Sequence, residues 1–132
     1  MKDSELLVLA KAEITSPGNW TKDNFARDES GKPIDVLDNR ACQFCSMGAV
    51  HKALQRRVDD GIIERGRFAT TSRLFRLLEK SIGVYENDIG TGVAAFNDSE
   101  DTQHDDVIAV FDLAIKAAKQ KEEDDQSVPS VS

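Results

Sequence analysis

The sequence predicts a mainly α, compact single domain of roughly four helices, with a long irregular loop after the first helix and at most a minor short β element. Two observations carry this. Apolar residues recur at spacings of three and four in four separate stretches, and 132 residues with 39% hydrophobic side chains suit one modest core. No internal repeat is visible.

The first helix is expected over about residues 3–15. Leu6, Leu7, Leu9, Ala10 and Ile14 fall mostly on one face, and Ser16-Pro17-Gly18 stops the pattern. Residues 19–39 are irregular: Trp20, Phe25, Ile34, Val36 and Leu37 are separated by charges and by the turn signal Glu29-Ser30-Gly31-Lys32-Pro33. This reads as a long packed loop, with a short helical turn at residues 21–26, pinned by Trp20 and Phe25. A second helix is expected over about residues 40–58, since Ala41, Phe44, Cys45, Gly48, Ala49, Lys52 and Ala53 recur at three and four. Asp59-Asp60-Gly61 ends it, and the short Ile62-Ile63 segment follows.

Thr70, Thr71 or Ser72 can cap a third helix running to about Ile82, whose buried side is Leu74, Phe75, Leu77, Leu78 and Ile82. Gly83 is its terminator. The turn-rich segment after it contains residues 93–96, read as a short extended piece. Thr102 with Asp105 then resembles a capping box with aspartate in the place of glutamate, opening a fourth helix with Val107, Ile108, Val110, Phe111, Ala114, Ile115 and Ala118 inward. Apolar periodicity is lost from about Lys119, so the domain is placed at residues 1–118 and residues 119–132 are read as a disordered acidic tail. The expected core is Leu6, Leu9, Trp20, Phe25, Phe44, Cys45, Ala49, Leu74, Leu78, Phe96, Val107, Phe111 and Ile115.

The net charge is -7 and is unevenly spread. Residues 52–80 hold 8 basic and 4 acidic side chains, whereas residues 81–115 hold none and 8. Net acidity argues against general nucleic-acid binding, because phosphates repel such a surface. There is no apolar run of about 18 residues, and the first residues lack the basic-then-apolar order of a signal peptide. The expectation is a cytoplasmic protein with no membrane contact and reduced thiols.

The stretch ACQFCSMGAVHKAL holds both cysteines, Cys42 and Cys45. With His51 and His104 they form a conceivable zinc set, but the histidines follow no zinc-site spacing, and no strand precedes the pair as a thioredoxin-like redox site requires. Small-residue packing fits better, since Cys45, Gly48 and Ala49 make a smooth surface on a helix. No metal and no cofactor are expected.

CSMGA at 45–49, together with Trp20, Phe25-Ala26-Arg27-Asp28, Gly31, Phe96-Asn97-Asp98, Thr102, Asp106-Val107 and residues 112–114, resembles a family of small uncharacterised bacterial and phage proteins, a domain of unknown function. The resemblance spans about residues 6–115. It implies a compact, mainly helical fold and supplies no activity. In that family the cysteine matching Cys45 is usual and one matching Cys42 is not, which the resemblance sets against a paired-thiol site.

Other chemistry is weakly signalled. Asn97, Asp98, Glu100 and Asp101 group carboxylates as calcium sites do, but the EF-hand pattern fails, with Gln103 and Ala109 where glycine and the bidentate glutamate belong. Turn chemistry entering the last helix explains Asn97-Asp98 more simply. Gly90-Thr91-Gly92 is too short for a phosphate loop, and no catalytic triad motif is present. No catalytic residue is assigned; the sequence favours a non-enzyme without deciding the point, and a hydrolase using Asp98 or His104 ranks third behind the two readings below.

Arg73, Arg76 and Lys80, at i, i+3 and i+7, form a basic stripe on the third helix, with Arg65 and Arg67 just before it. Two functions follow. The first is a non-catalytic interaction protein, encoded by a phage or mobile element. It would bind a host protein, such as a defence complex in the manner of an anti-CRISPR antagonist, through Asp98, Glu100, Asp101, Asp105 and Asp106. The alternative is a small-ligand or nucleotide-binding protein holding its ligand with Arg73, Arg76 and Lys80 and stacking it on Trp20 or Tyr85. Charge runs at helical spacing also decorate inert surfaces.

Overall fold

The computed structural model describes residues 1–62, 68–84 and 88–127. The chain runs α1 (Asp3–Glu13), a 3-10 turn (Pro17–Asn19), β1 (Ala26–Arg27), β2 (Gln43–Phe44), α2 (Ser46–Asp59), α3 (Phe68–Ile82), α4 (Thr91–Asp98) and α5 (His104–Ser127). Among the described residues it is mainly α, with five helices and one two-stranded sheet.

α1 is wedged between α2 and α5, and α5 also packs along α3, while α4 lies against α2 and α3. The buried stripes that meet are Leu6, Leu7, Ala10 and Ile14 of α1, Val50, Ala53 and Leu54 of α2, Leu74, Phe75 and Leu78 of α3, and Val107, Phe111, Ala114 and Ala118 of α5. Each stripe has the spacing of one helical face, so burial follows directly from the apolar period. Polar ties fix the outer sides: Arg56 grips Glu13 through two hydrogen bonds of 2.7 and 3.1 Å, and buried Lys52 donates to the Asp38 carbonyl at 3.1 Å.

Several elements depart from the sequence expectation. α2 begins at Ser46 rather than near Arg40, because Gln43 and Phe44 pair antiparallel with Arg27 and Ala26 and Cys45 becomes the N-cap. The helical turn expected at residues 21–26 is instead β1 and its approach, with the 3-10 turn earlier, at Pro17–Asn19. Between the strands, the Asp28 carboxylate accepts from Ser30 N, Ser30 Oγ and Lys32 N, and Gly31 takes a φ of 84°. That turn matches the Glu29-Ser30-Gly31-Lys32-Pro33 signal.

Residues 93–96 are helical, not extended. Val93 and Asn97 share the buried side of α4 as an i, i+4 pair, and the period is masked because its second member is polar. Gly90, at φ 94°, precedes this helix. α3 starts at Phe68, two residues before the first proposed cap, and the residues preceding it, with Ile63, Arg65 and Arg67, lie outside the described residues. Gly83 ends α3 as expected, at φ 89°, with its N–H on the Glu79 carbonyl.

The cap of α5 is shifted by one residue. Asp106 Oδ2 accepts from Gln103 N at 2.9 Å, while Thr102 is buried. The helix also continues through Ser127 instead of fading near Lys119. Glu122 explains the extension: its carboxylate accepts from Ser4 Oγ at 2.6 Å and from Ser4 N at 3.1 Å, tying the late turns of α5 to the start of α1. A tertiary contact replaces the missing apolar periodicity. Among the expected core residues, Phe25 is the exception, being 52% exposed, while Leu9, Trp20 and Phe96 are partly buried against the core.

Candidate functional site

The residues singled out in the sequence separate into a buried polar hub, an acidic end and a basic groove.

The hub is Asn97, which is fully buried. Its Oδ1 accepts from Trp20 Nε1 at 2.8 Å, Ser46 N at 2.9 Å and Ser46 Oγ at 2.7 Å, and its Nδ2 donates to the Thr21 carbonyl at 3.1 Å and to Asp98 Oδ1 at 2.9 Å. One side chain thus joins the early loop, the first turn of α2 and the end of α4. A buried amide with both ends satisfied is a specifying element, not an exposed reagent. Gly48 belongs to the same knot: an added Cβ would lie 2.0 Å from the Phe25 carbonyl oxygen, so the loop crosses α2 only because that position is bare.

Cys42 and Cys45 do not share a helical face. Cys42 precedes β2, and Cys45 is the N-cap of α2, its Sγ accepting from Gly48 N at 3.3 Å. Burial raises the Cys45 thiol above its ordinary range, and the Asp98 carboxylate adds to this. It therefore stays protonated at neutral pH and is a poor nucleophile. His51 stands edge-on to the Phe25 and Phe75 rings, and His104 engages the Ile14 carbonyl through Nε2 at 2.7 Å. No group of three or more His, Cys, Asp or Glu among the described residues is placed to hold a metal ion.

The acidic end is formed by the close of α4 and the start of α5. Asp98, Glu100, Asp101, Asp105 and Asp106 are all exposed. Two of them also serve the fold. Asp98 Oδ1 accepts from Asp23 N at 2.9 Å, steadying a residue at φ 69°, and Asp106 caps α5. The side chains of Glu100, Asp101 and Asp105 pair with no lysine or arginine among the described residues, and Asp105 Oδ1 lies 4.0 Å from His104 Nδ1. Lys22, the nearby cation, is engaged with the Ser99 carbonyl at 2.6 Å and sits 5.5 Å from the Trp20 ring centre.

Arg73, Arg76 and Lys80 face a groove of about 610 Å³ between α3, the late turns of α5 and the start of α1. Arg73 is clasped by Asp3 through Nε at 3.1 Å and Nη2 at 3.2 Å, which raises its guanidinium above the ordinary value. Arg76 Nη1 donates to Glu79 Oε1 at 3.3 Å. Trp20 does not belong here. It packs near His104, 17 positions from Lys121 on α5, roughly 25 Å along a helix at 1.5 Å per residue. Tyr85 lies outside the described residues. The sequence missed Lys2 and Lys121, which only the packing of both chain ends brings to the stripe.

No described helix is long and apolar enough to cross a membrane. A family described as "Family of unknown function (DUF6197)" matches residues 1–117. No curated protein and no solved structure matches the chain.

Proposed function

The chain belongs to the DUF6197 family, whose function is unknown, and we propose that it is a non-catalytic interaction protein whose acidic end docks on a basic surface of a partner protein. The observation that carries this reading is the trio Glu100, Asp101 and Asp105, exposed at the α4–α5 junction of a chain with net charge -7 and paired with no lysine or arginine among the described residues. Exposed carboxylates that no lysine or arginine of their own chain neutralises steer and orient a basic partner.

In its specific form, the partner is a host protein complex that handles nucleic acid, and the chain is a phage or mobile-element antagonist that occupies its phosphate-binding surface. Small size and an acidic face of this kind support that form, since such surfaces are basic.

The test is a comparative capture from host extract, using the wild-type chain and a Glu100→Lys, Asp101→Lys, Asp105→Lys variant, with circular dichroism confirming that both are folded. A partner retained by the wild type, lost by the variant and released by added salt is the expected result. Equal retention by both proteins refutes the acidic-end interface.

A further inference from the structure

The basic groove is a separate site at the other end of α5. We propose that it binds a phosphorylated small molecule of nucleotide size. Five basic and three acidic side chains line it, an excess of cations in a protein that is acidic overall. Its volume, about 610 Å³, falls within the range of small-molecule pockets, roughly 300–1,000 Å³.

The walls have different roles. On the α3 side, Arg73 and Arg76 are each held by a carboxylate, Asp3 and Glu79, so the two guanidinium groups are oriented before any ligand arrives. With the Nε and Nη2 edge of Arg73 taken by Asp3, its Nη1 is the group placed to donate to a phosphoryl oxygen. Lys80 and, across the groove, Lys121 make no ion pair among the described residues and supply mobile charge for further phosphate oxygens. The lining also includes the partly buried Leu77, an apolar patch that a base or other flat body covers, next to the buried Ala118. A bare inorganic anion leaves that patch wet, and an uncharged ring leaves the cations unmatched. The combination selects a molecule carrying both parts.

The site depends on α5 running past residue 117, where the family match ends, because Lys121 stands on those turns and the Glu122–Ser4 bonds hold them against α1. It is independent of the acidic end.

Calorimetric titration of the full chain with ATP, inorganic phosphate and adenosine tests the proposal. ATP is expected to bind at least tenfold more tightly than either fragment, and the Lys80→Gln, Lys121→Gln variant, which breaks no described ion pair, to weaken ATP binding at least tenfold. The methyl resonances of Leu77 and Ala118 should shift on ATP addition while that of buried Val93 stays still. A Glu100→Lys, Asp101→Lys, Asp105→Lys variant should bind ATP no more weakly than the wild type, whatever becomes of its partner binding. Absence of ATP binding up to millimolar concentration overturns the proposal, as does ATP binding indifferent to the lysine pair. Binding of a phosphoserine peptide in its place, with no response to ATP, likewise overturns it and makes the groove a peptide site.

Discussion

The indole N–H of Trp20 donates to Asn97 Oδ1 at 2.8 Å, across 77 positions of sequence. The same oxygen receives both the backbone N–H and the hydroxyl of Ser46. The tryptophan, the segment after Cys45 and the Asn-Asp pair are therefore one structural knot.

Removing that oxygen strands three donors, two of them on buried Ser46. Asn97→Ala should destabilise the fold by about 2–4 kcal/mol, as expected when several buried polar partners lose their mate. Urea denaturation followed by the fluorescence of Trp20 measures this, and an unchanged midpoint would show that the hub is dispensable. Asn97→Asp should also be costly, because a second carboxylate would then face Asp98 and the Thr21 carbonyl.

Gly48 reverses a general rule. Glycine to alanine within a helix normally stabilises by about 1 kcal/mol. Here the new methyl meets the Phe25 carbonyl oxygen at 2.0 Å, a backbone atom that cannot swing aside. Gly48→Ala should destabilise by about 2 kcal/mol or more, in line with overpacking at a tight contact. Gly18→Ala, with open space around it, serves as the control in the same thermal melts.

The Glu122–Ser4 pair reports on the end of α5. Glu122→Ala leaves the buried Ser4 N–H and hydroxyl without their acceptor, so a loss of about 1–3 kcal/mol is expected. Amide exchange should accelerate in both the first turn of α1 and the late turns of α5. Acceleration in neither would mean that the two ends are held by other contacts.

Acid sensitivity should have an identifiable source. Hydrogen bonds from Arg40 hold the Asp38 carboxyl down to about 2, from an ordinary 3.8, and those from Ser30 and Lys32 lower Asp28. A carboxyl depressed in the folded state adds stability that is fully present above its unfolded value and is lost as pH falls through the folded one. Asp38→Asn should therefore flatten the decline of stability between about pH 4 and pH 2 while changing little of its slope near neutrality. Denaturation midpoints at several pH values in the two proteins give the comparison.

Cys45 and Cys42 should differ in reactivity. Cys45 is 5% exposed with a raised thiol, whereas Cys42 is partly open. At neutral pH a thiol reagent should modify Cys42 first and reach Cys45 only on unfolding. Prompt labelling of both would contradict the N-cap placement.

The sequence by itself determined the helices whose inward faces are dominated by apolar residues. Leu6, Ala10 and Ile14, Leu74 and Leu78, and Val107, Phe111 and Ile115 announce burial because each helix hides the same side at each turn. It also exposed the charge asymmetry and the stripe of Arg73, Arg76 and Lys80. The tertiary structure decided whatever rests on contacts between distant positions. α4 escaped the pattern because its inward residue is the polar Asn97, satisfied only by Trp20, Thr21 and Ser46. The start of α2 was set by strand pairing of Phe44 with Ala26, and the end of α5 by Ser4. Likewise the stripe became a groove only where Lys121 and Lys2 were folded against it. Apolar period is a local property that a reader of sequence can count, while hydrogen-bond partners tens of residues apart exist only once the chain has closed on itself.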